Sequence, residues 1–221
     1  MTSRGLKTTP RRDDDTRSRL LDASRDLFTA HGFRGTSTRA IAAKAGCNLS
    51  LIKYYFGSKE GLLREVVRPH IEAIRELIIS MDSGGAPSPQ RLREFIMKMA
   101  HQLDSNSHFF RLIFAELLRE DSPVVADLLE PVRLNQSAAL AVLQHAKDRG
   151  MLRDVDLRAS LVVMMGPLMF YQLAYPVASQ IVGPRSPEVI NLIAATAADI
   201  FLHGILKGPS TPAQSPEEET A

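Results

Sequence analysis

Two short helical patterns separated by a single glycine occupy the stretch from Ser37 to Glu60. Ser37 can cap the first helix, and Gly46 falls where a left-handed residue would end it. Asn48 can cap a second helix of about two turns. The predicted inward residues are Ile41, Ala42, Ala45, Cys47, Leu51, Ile52 and Phe56. Because only a short turn joins the helices, the pattern predicts a helix-turn-helix.

The outward face of the second helix carries side chains that can reach nucleic acid. Its members are Leu49, Ser50, Lys53 and Tyr55. In a helix-turn-helix the second helix enters the major groove, where its outward side chains read base edges. The stretch therefore predicts binding to double-stranded DNA.

A third helical pattern lies just upstream, from Thr16 to His31, and Gly32 and Phe33 follow it. The order of this amphipathic helix, HGF, a Thr/Ser-rich cap, IAAKAG and YYFGSKEGLL resembles the DNA-binding domain of the TetR family of bacterial transcriptional regulators. The resemblance covers about fifty residues and is specific, because several unlike features occur in a fixed order. It implies a homodimer that binds operator DNA and responds to a small-molecule effector, with repression as the expected action.

The resemblance also implies which residues contact DNA. They are Ser37, Thr38, Arg39, Asn48, Leu49, Ser50, Lys53, Tyr54, Tyr55 and Lys59. The family most often has Leu-Tyr where this chain has Ile52-Lys53, and a valine where it has Cys47. A lysine at position 53 should strengthen a phosphate contact and make it more sensitive to salt. Lys59 is expected to contact phosphate as well.

The charge of the chain is unevenly distributed, although the net charge of the 221 residues is only +2. Residues 1–60 carry twelve Lys/Arg against six Asp/Glu, and the remainder carries fifteen against nineteen. The basic end should therefore face the polyanion. The single cysteine excludes an intramolecular disulfide, and the polar N-terminus lacks the apolar segment of a secretory signal. Leu161 to Ala174, the longest apolar stretch, is too short to span a bilayer, so we expect a cytoplasmic protein without a membrane partner.

The expected fold class is all-α, since no alternating run suggests a strand. Four segments are predicted: a disordered tail at 1–14, the DNA-binding domain at 15–60, an effector-binding and dimerisation domain at 61–207, and a disordered tail at 208–221. Helices of the second domain are expected at 60–81, 89–104, 108–120, 123–149, 156–182 and 186–207. The first of these would link the two domains.

The last two predicted helices are apolar on more than one side. One side can pack on the protein's own core, and the other requires a partner, which a two-fold dimer supplies. The resemblance implies a four-helix interface built from these helices. Ala194 and Ala198 are expected to face the partner. The alternative is that both helices are central helices of a monomeric core.

The sequence contains no nucleophile elbow, phosphate loop or metal-binding motif, so neither an enzyme nor a cofactor is predicted. His101, Asp104 and His108 would share a face only on an unbroken helix, and Ser105 to Ser107 should break it. A solvated or hydrogen-bonded histidine pair is therefore preferred to a metal site.

The resemblance implies an effector cavity among the later helices. Candidate wall residues are Phe95, Met99, Phe110, Phe114, Leu117, Met164, Met165, Met169, Phe170 and Tyr171, and candidate polar anchors are His101, Gln102, Gln136 and Gln172. Because methionine and aromatic side chains predominate, a neutral apolar or aromatic effector is expected. Ordinary core packing is the alternative for each residue. Two other functions stay open: a regulator without a small-molecule effector, and a helical carrier or enzyme with a vestigial helix-turn-helix.

Overall fold

The computed structural model describes residues 10–83, 88–119 and 121–206. Across these residues the regular elements are all helices, and no β-strand forms. The helices are α1 (Pro10–His31), α2 (Thr38–Lys44), α3 (Ser50–Phe56), α4 (Lys59–Ser83), α5 (Pro89–Ser105), α6 (Ser107–Leu117), α7 (Val125–Asp148), α8 (Leu157–Leu173), α9 (Tyr175–Val182) and α10 (Pro187–Ile205). An isolated bridge pairs Leu152 with Leu206. The all-α prediction is confirmed, and α5 and α6 are separated at Asn106 as expected.

The first helix begins earlier than the sequence pattern indicated. It starts at Pro10, so residues 10–14 of the predicted tail are helical. Proline is accepted in the first turn because its missing N–H has no partner there. The rest of that tail, residues 1–9, and the whole tail at 208–221 lie outside the described residues.

The prediction of one helix at 156–182 is wrong, because the segment forms two helices, α8 and α9, that meet at Ala174 with a bend of 96°. Pro176 stands in the first turn of α9, where it lacks the N–H that a continuous helix would donate to the carbonyl of Gln172. Pro69, Pro131 and Pro167 lie inside helices that continue past them. A proline in the sequence therefore does not by itself predict where a helix of this chain breaks.

Two large apolar cores and one small cluster hold the described helices together. The first core unites α1 to α4 with α6 and α7, so it continues beyond the helix-turn-helix. The second core lies among α4, α5, α6, α7, α8 and α10. The small cluster joins α9 to α8 and α10 through Tyr171, Ala178 and Ile190. Helix α4 belongs to both large cores: Leu62 and Val66 are buried in the first core, and Ile78 and Met81 in the second. One helix thus connects the packed side chains of both cores.

The bend between α8 and α9 is held by Arg185, which the sequence patterns did not single out. Its guanidinium donates to Asp104 Oδ1 at 2.7 Å, Ser107 Oγ at 2.8 Å and Gln172 Oε1 at 3.0 Å. It also lies 4.9 Å from the ring centroid of Tyr175, and Arg185 N–H donates to the hydroxyl of Tyr175. One side chain thus joins the ends of α5 and α8 to the start of α6.

Helix α10 is long and apolar enough to cross a bilayer by length and composition, with a mean hydropathy of 1.4 over eighteen residues. Its side chains Ile190, Ala194, Ala198 and Leu202 are buried inside the protein, however. These side chains account for only part of the composition, because 33% of the window is buried and Leu192 and Ile200 are exposed. Length and composition alone are weak evidence for a membrane span, since the core helix of a soluble protein passes the same test.

Candidate nucleic-acid interface

The first helix of the predicted motif is capped as expected. Ser37 has extended backbone, and its Oγ accepts a hydrogen bond from Ala40 N–H at 3.1 Å. Ile41 and Ala42 are buried, and Gly46 takes a φ of 61° after the helix ends. The positive φ favours glycine here because a Cβ would add steric strain. Local chemistry therefore fixes where α2 begins and ends.

Helix α3 begins with a paired set of polar groups. Asn48 Oδ1 accepts hydrogen bonds from Ser50 N–H at 2.9 Å and from the Ser50 hydroxyl at 2.8 Å. Ile52 and Phe56 are buried, and Gly57 ends the helix at a φ of 74°. Asn48 and Ser50 thus orient the start of the helix while both remain exposed.

The exposed face of α3 differs in one respect from the prediction. Tyr54 is 73% exposed, whereas Tyr55 is half-buried and packs against the first core. The two rings meet edge to face, with centroids 4.8 Å apart. Leu49 is exposed as expected. Tyr54 is therefore the aromatic side chain best placed to reach a groove of DNA, and the ring of Tyr55 packs against it.

Two predicted cations remain available on this surface. Arg39 on α2 and Lys53 on α3 are exposed, and neither has an ion-pair partner among the described residues. Lys44, by contrast, pairs with Asp26 at 2.8 Å. Thr38 lies beside Arg39 and is half-buried. The geometry leaves one unpaired charge on each of α2 and α3, as an interface with phosphates requires.

Lys59 lies in a different setting from the other predicted contacts. Its Nζ donates to the carbonyls of Phe33 at 3.0 Å and Thr36 at 3.1 Å, and it lies 4.2 Å from the Phe33 ring centroid. These contacts hold the loop that precedes α2 against the start of α4. A phosphate would compete with them, so the geometry favours a structural role over the expected phosphate contact.

Replacing Lys59 with methionine is expected to lower the free energy of unfolding by about 1–3 kcal/mol, because two carbonyls lose a charged donor. The salt dependence of DNA binding should stay unchanged, since no phosphate contact is removed. Urea unfolding and fluorescence anisotropy at several salt concentrations measure the two quantities. A salt slope smaller by about one unit would instead establish a phosphate contact.

The next group at the start of α4 is also locally held. Burial opposes ionisation of Glu60, yet its pKa lies below the ordinary value because its own backbone N–H and the Ser58 hydroxyl donate to the carboxylate. Ser58 Oγ accepts in turn from Gly61 N–H at 3.1 Å. These bonds satisfy donors that the first turn of α4 would otherwise leave free.

The predicted effector-binding residues do not line one cavity. Phe95, Met99 and Phe110 are buried in the second core, and Met165 and Met169 pack at its edge. Phe114 and Leu117 are half-buried on α6. His101, Gln136 and Phe170 are exposed, and His101 Nε2 lies 2.8 Å from Asn191 Oδ1. Helical spacing could not decide which of these side chains face the same interior space.

An apolar cavity of about 20 Å³ does lie within the second core. Of the predicted set, Phe95 and Met164 line it. The other lining residues are Ile78, Met81, Leu92, Ile96, Ala139, Val142, Leu143, Leu161 and Phe201. Its size is close to that of a single water site, so an organic ligand would have to move side chains to enter.

A much larger apolar groove of about 670 Å³ runs along α8 and α10 on the surface. Val163, Leu192 and Ile200 line it and are mainly exposed. Ala194 and Ala198, which were expected to face a partner, are instead fully buried in the second core. That expectation is wrong because Ala194 and Ala198 lie on the face of α10 that packs inside the subunit, whereas Leu192 and Ile200 lie on its exposed face.

The histidines and carboxylate considered for a metal site have separate partners. Asp104 pairs with Arg185 at 2.7 Å, and His108 Nδ1 lies 2.9 Å from Arg111 Nη2. No group of three potential metal ligands occurs in the part of the chain that the structure describes. The three side chains therefore do not form one site.

Comparisons with known proteins agree with this geometry. Residues 20–66 match the model of the N-terminal domain of bacterial regulatory proteins of the tetR family. The chain is 33% identical over 103 residues to the HTH-type transcriptional dual regulator CecR of Shigella flexneri, covering 41% of this chain and 43% of CecR. It is 25% identical over 162 residues to the HTH-type transcriptional repressor NicS of Pseudomonas putida, covering 73% and 75%. The chain spans about half the length of the first curated relatives it matches.

The fold as a whole is also similar to solved structures. The TetR-family transcriptional regulator PfmR of Thermus thermophilus superposes with a TM-score of 0.66 at 20% identity, covering 84% of this chain and 97% of PfmR. At this identity the similarity establishes the fold alone. The matched family segment, residues 20–66, comprises most of α1, all of α2 and α3, and the first turns of α4.

Proposed function

We propose that this chain, a member of the tetR family of bacterial regulatory proteins, binds operator DNA as a homodimer and represses transcription. The observation that carries the proposal is the exposed surface of α2 and α3, where Arg39 and Lys53 are unpaired and Tyr54 projects into solvent. Residues 15–60 would form the DNA-binding domain, and residues 61–207 the effector-binding and dimerisation domain. Like its relatives, the protein would act as a regulator rather than an enzyme, in the cytoplasm.

The proposed contacts fall into two groups, contacts with backbone phosphates and contacts with base edges. Arg39, Lys53, the cap residue Ser37 and its neighbour Thr38 lie where backbone phosphates are expected, and they would set affinity. Leu49, Tyr54 and the Asn48–Ser50 pair would approach base edges and set sequence preference, and removing one such contact would cost about 1–3 kcal/mol. Selection of bound sequences from a random DNA pool tests the function directly. Failure to enrich any sequence would contradict it.

The Lys53→Ala variant is expected to weaken binding on all DNA sequences and to reduce the magnitude of the salt slope by about one unit, because one phosphate contact is removed. Fluorescence anisotropy with a selected duplex and a scrambled duplex, at several salt concentrations, measures both effects. The matched control is Lys98→Ala, which removes an exposed lysine from α5, far along the chain from the motif. An unchanged slope for Lys53→Ala would remove the proposed phosphate role.

A homodimer is supported by the exposed apolar face of α8, α9 and α10. Its largest exposed members are Val162, Val163, Phe170, Val177, Ile181, Leu192 and Ile200. A monomer that left so many large apolar side chains of these three helices in water would be prone to associate. A two-fold pairing buries the same surface on both subunits and places two recognition helices for two half-sites.

A small apolar effector would act through α4 in this proposal. Ile78 and Met81 of α4 line the interior cavity, and Leu62 and Val66 of the same helix pack in the core of the DNA-binding part. A ligand that enlarges the cavity must displace the far end of α4. The near end would follow and change the separation of the recognition helices, which lowers affinity for the operator.

The small size of the cavity favours a second candidate, a regulator that has no small-molecule effector. The two candidates differ in a measurable way. Apolar and aromatic compounds can be screened for thermal stabilisation, and those that stabilise can then be tested for release of DNA. Stabilisation with release supports an effector, and an empty screen against a protein that binds DNA supports the second candidate.

A further inference from the structure

A cleft of about 360 Å³ lies between the end of α1, with the loop that follows it, and α6. Both of its walls are basic. His31 and Arg34 come from the side of the helix-turn-helix, and His108, Arg111 and Arg119 come from one face of α6 and the residues just after it. Facing walls of an interdomain junction usually carry opposite charges, because like charges in juxtaposition cost free energy.

The positive charge of the cleft is only partly neutralised. Arg34 Nη2 lies 2.9 Å from Asp121 Oδ2, and Arg119 Nε lies 3.4 Å from Asp121 Oδ1, so two guanidiniums share one carboxylate. Arg111 has no carboxylate partner within residues 10–83, 88–119 and 121–206, and its Nη2 lies 2.9 Å from His108 Nδ1. A cation is therefore left over on the α6 wall.

Glu116 is the one acidic residue in the described lining. It is buried beneath the cleft, and its Oε2 accepts a hydrogen bond from the Ser122 hydroxyl at 2.6 Å. Its charge offsets one of the three arginines, and Asp121 offsets a second. Counted over the described residues that line or pair with it, the cleft keeps a net positive charge even with both of its histidines neutral.

The walls are held in place by the fold. Thr36 is buried, and its hydroxyl lies 2.8 Å from the Gly32 carbonyl and 3.0 Å from the Leu27 carbonyl. Lys59 binds the same loop through the carbonyls of Phe33 and Thr36. Arg34 thus projects from a fixed backbone, and the cleft does not depend on a loose segment.

We propose that this cleft binds a compact oxyanion of two or more negative charges, of the phosphate or polycarboxylate type. Such an anion can accept charge-assisted hydrogen bonds from Arg34 on one wall and from Arg111 on the other. It would relieve the repulsion between the walls, and planar guanidiniums suit oxygen pairs of this kind. The volume is sufficient for a small ligand.

A bound anion would connect α6 to the loop that precedes α2. It would therefore restrict movement of the DNA-binding part relative to the rest of the chain. The resulting change in DNA affinity rests on the proposed function. The anion site itself does not, because its occupancy can be measured without DNA.

The test compares thermal unfolding of the full chain in inorganic phosphate, in citrate and in sodium chloride at matched ionic strength. Phosphate or citrate is expected to raise the melting temperature above the chloride value in a saturable way. Arg111→Gln should raise the dissociation constant about tenfold or more, as the loss of one charge-assisted hydrogen bond predicts. The matched control, Arg133→Gln, removes an exposed arginine of α7 that lies outside the cleft and should leave the constant unchanged.

Three results would overturn the proposal. Equal shifts in chloride would show general screening, and equal binding by Arg111→Gln and the wild type would place the anion elsewhere. Weaker DNA binding by Arg111→Gln, without any phosphate or citrate effect on the wild type, would show that this wall contacts the DNA backbone instead. If the wild type enriches no DNA sequence, the proposed function fails, and the melting temperatures still decide the anion site.

Discussion

The Arg185→Ala variant is expected to lose about 3 kcal/mol of unfolding free energy, because it leaves Asp104, Ser107 and Gln172 without a shared donor. Ser107 and Gln172 are almost fully buried, so water cannot readily replace the guanidinium. The guanidinium also holds the 96° bend between α8 and α9. Urea unfolding at a fixed protein concentration measures the loss, since association would otherwise alter the apparent stability.

Arg93→Ala is the matched control for this prediction. Arg93 pairs with Asp199 at 2.7 Å, the same distance as the Arg185–Asp104 pair, but both members of the Arg93–Asp199 pair are more exposed. Exposed pairs contribute about 0–1 kcal/mol because water screens them. Equal losses of unfolding free energy in the two variants would show that Arg185 contributes no more than a surface ion pair does.

The Ile200→Glu variant is expected to be a folded monomer with greatly reduced operator affinity. Ile200 is 70% exposed in the single subunit and lines the groove along α8 and α10. The glutamate stays in water in the monomer, but it would be buried without a partner in the proposed dimer, at a cost of several kcal/mol. A monomer would also lose the simultaneous contact with two half-sites. Analytical ultracentrifugation and fluorescence anisotropy measure the two effects.

Two further substitutions separate association from folding. Leu118→Glu changes a residue that is 79% exposed at the end of α6, away from the groove, and should leave the dimer intact. Ala194→Glu should unfold the subunit itself, because Ala194 is fully buried in the second core. A dimeric Ile200→Glu protein at micromolar concentration would place the interface on another surface.

The helix-turn-helix could be predicted in detail because its signals are local. Ser37 and Asn48 accept hydrogen bonds from residues two or three positions away, and Gly46 ends α2 through its own backbone conformation. The buried positions Ile41 and Ile52 follow from helical periodicity. Each of these interactions joins near neighbours in the chain, so the order of residues is enough to specify them.

For the helices that follow the DNA-binding part, the sequence predicted that they form but not which of their faces are buried. The apolar residues of α10 surround the helix, so periodicity could not reveal that Ala194 faces the core and Ile200 faces outward. Likewise, Pro69, Pro131, Pro167 and Pro176 all lie inside predicted helices, and packing at the α8–α9 bend decided that only Pro176 stands next to a break. Burial depends on which surfaces meet, and no local pattern contains that information.

The sequence by itself determined the capped helix-turn-helix, the all-α class and the excess of positive charge near the N-terminus. Only the tertiary structure decided that Lys59 binds the α1–α2 loop, that Tyr54 is more exposed than Tyr55, and that Arg185 joins three helices. The reason is the range of the interactions. Caps and periodicity act within a few residues, whereas Lys59 reaches back 26 residues to Phe33 and Arg185 reaches 81 residues to Asp104, distances along the chain that only folding brings together.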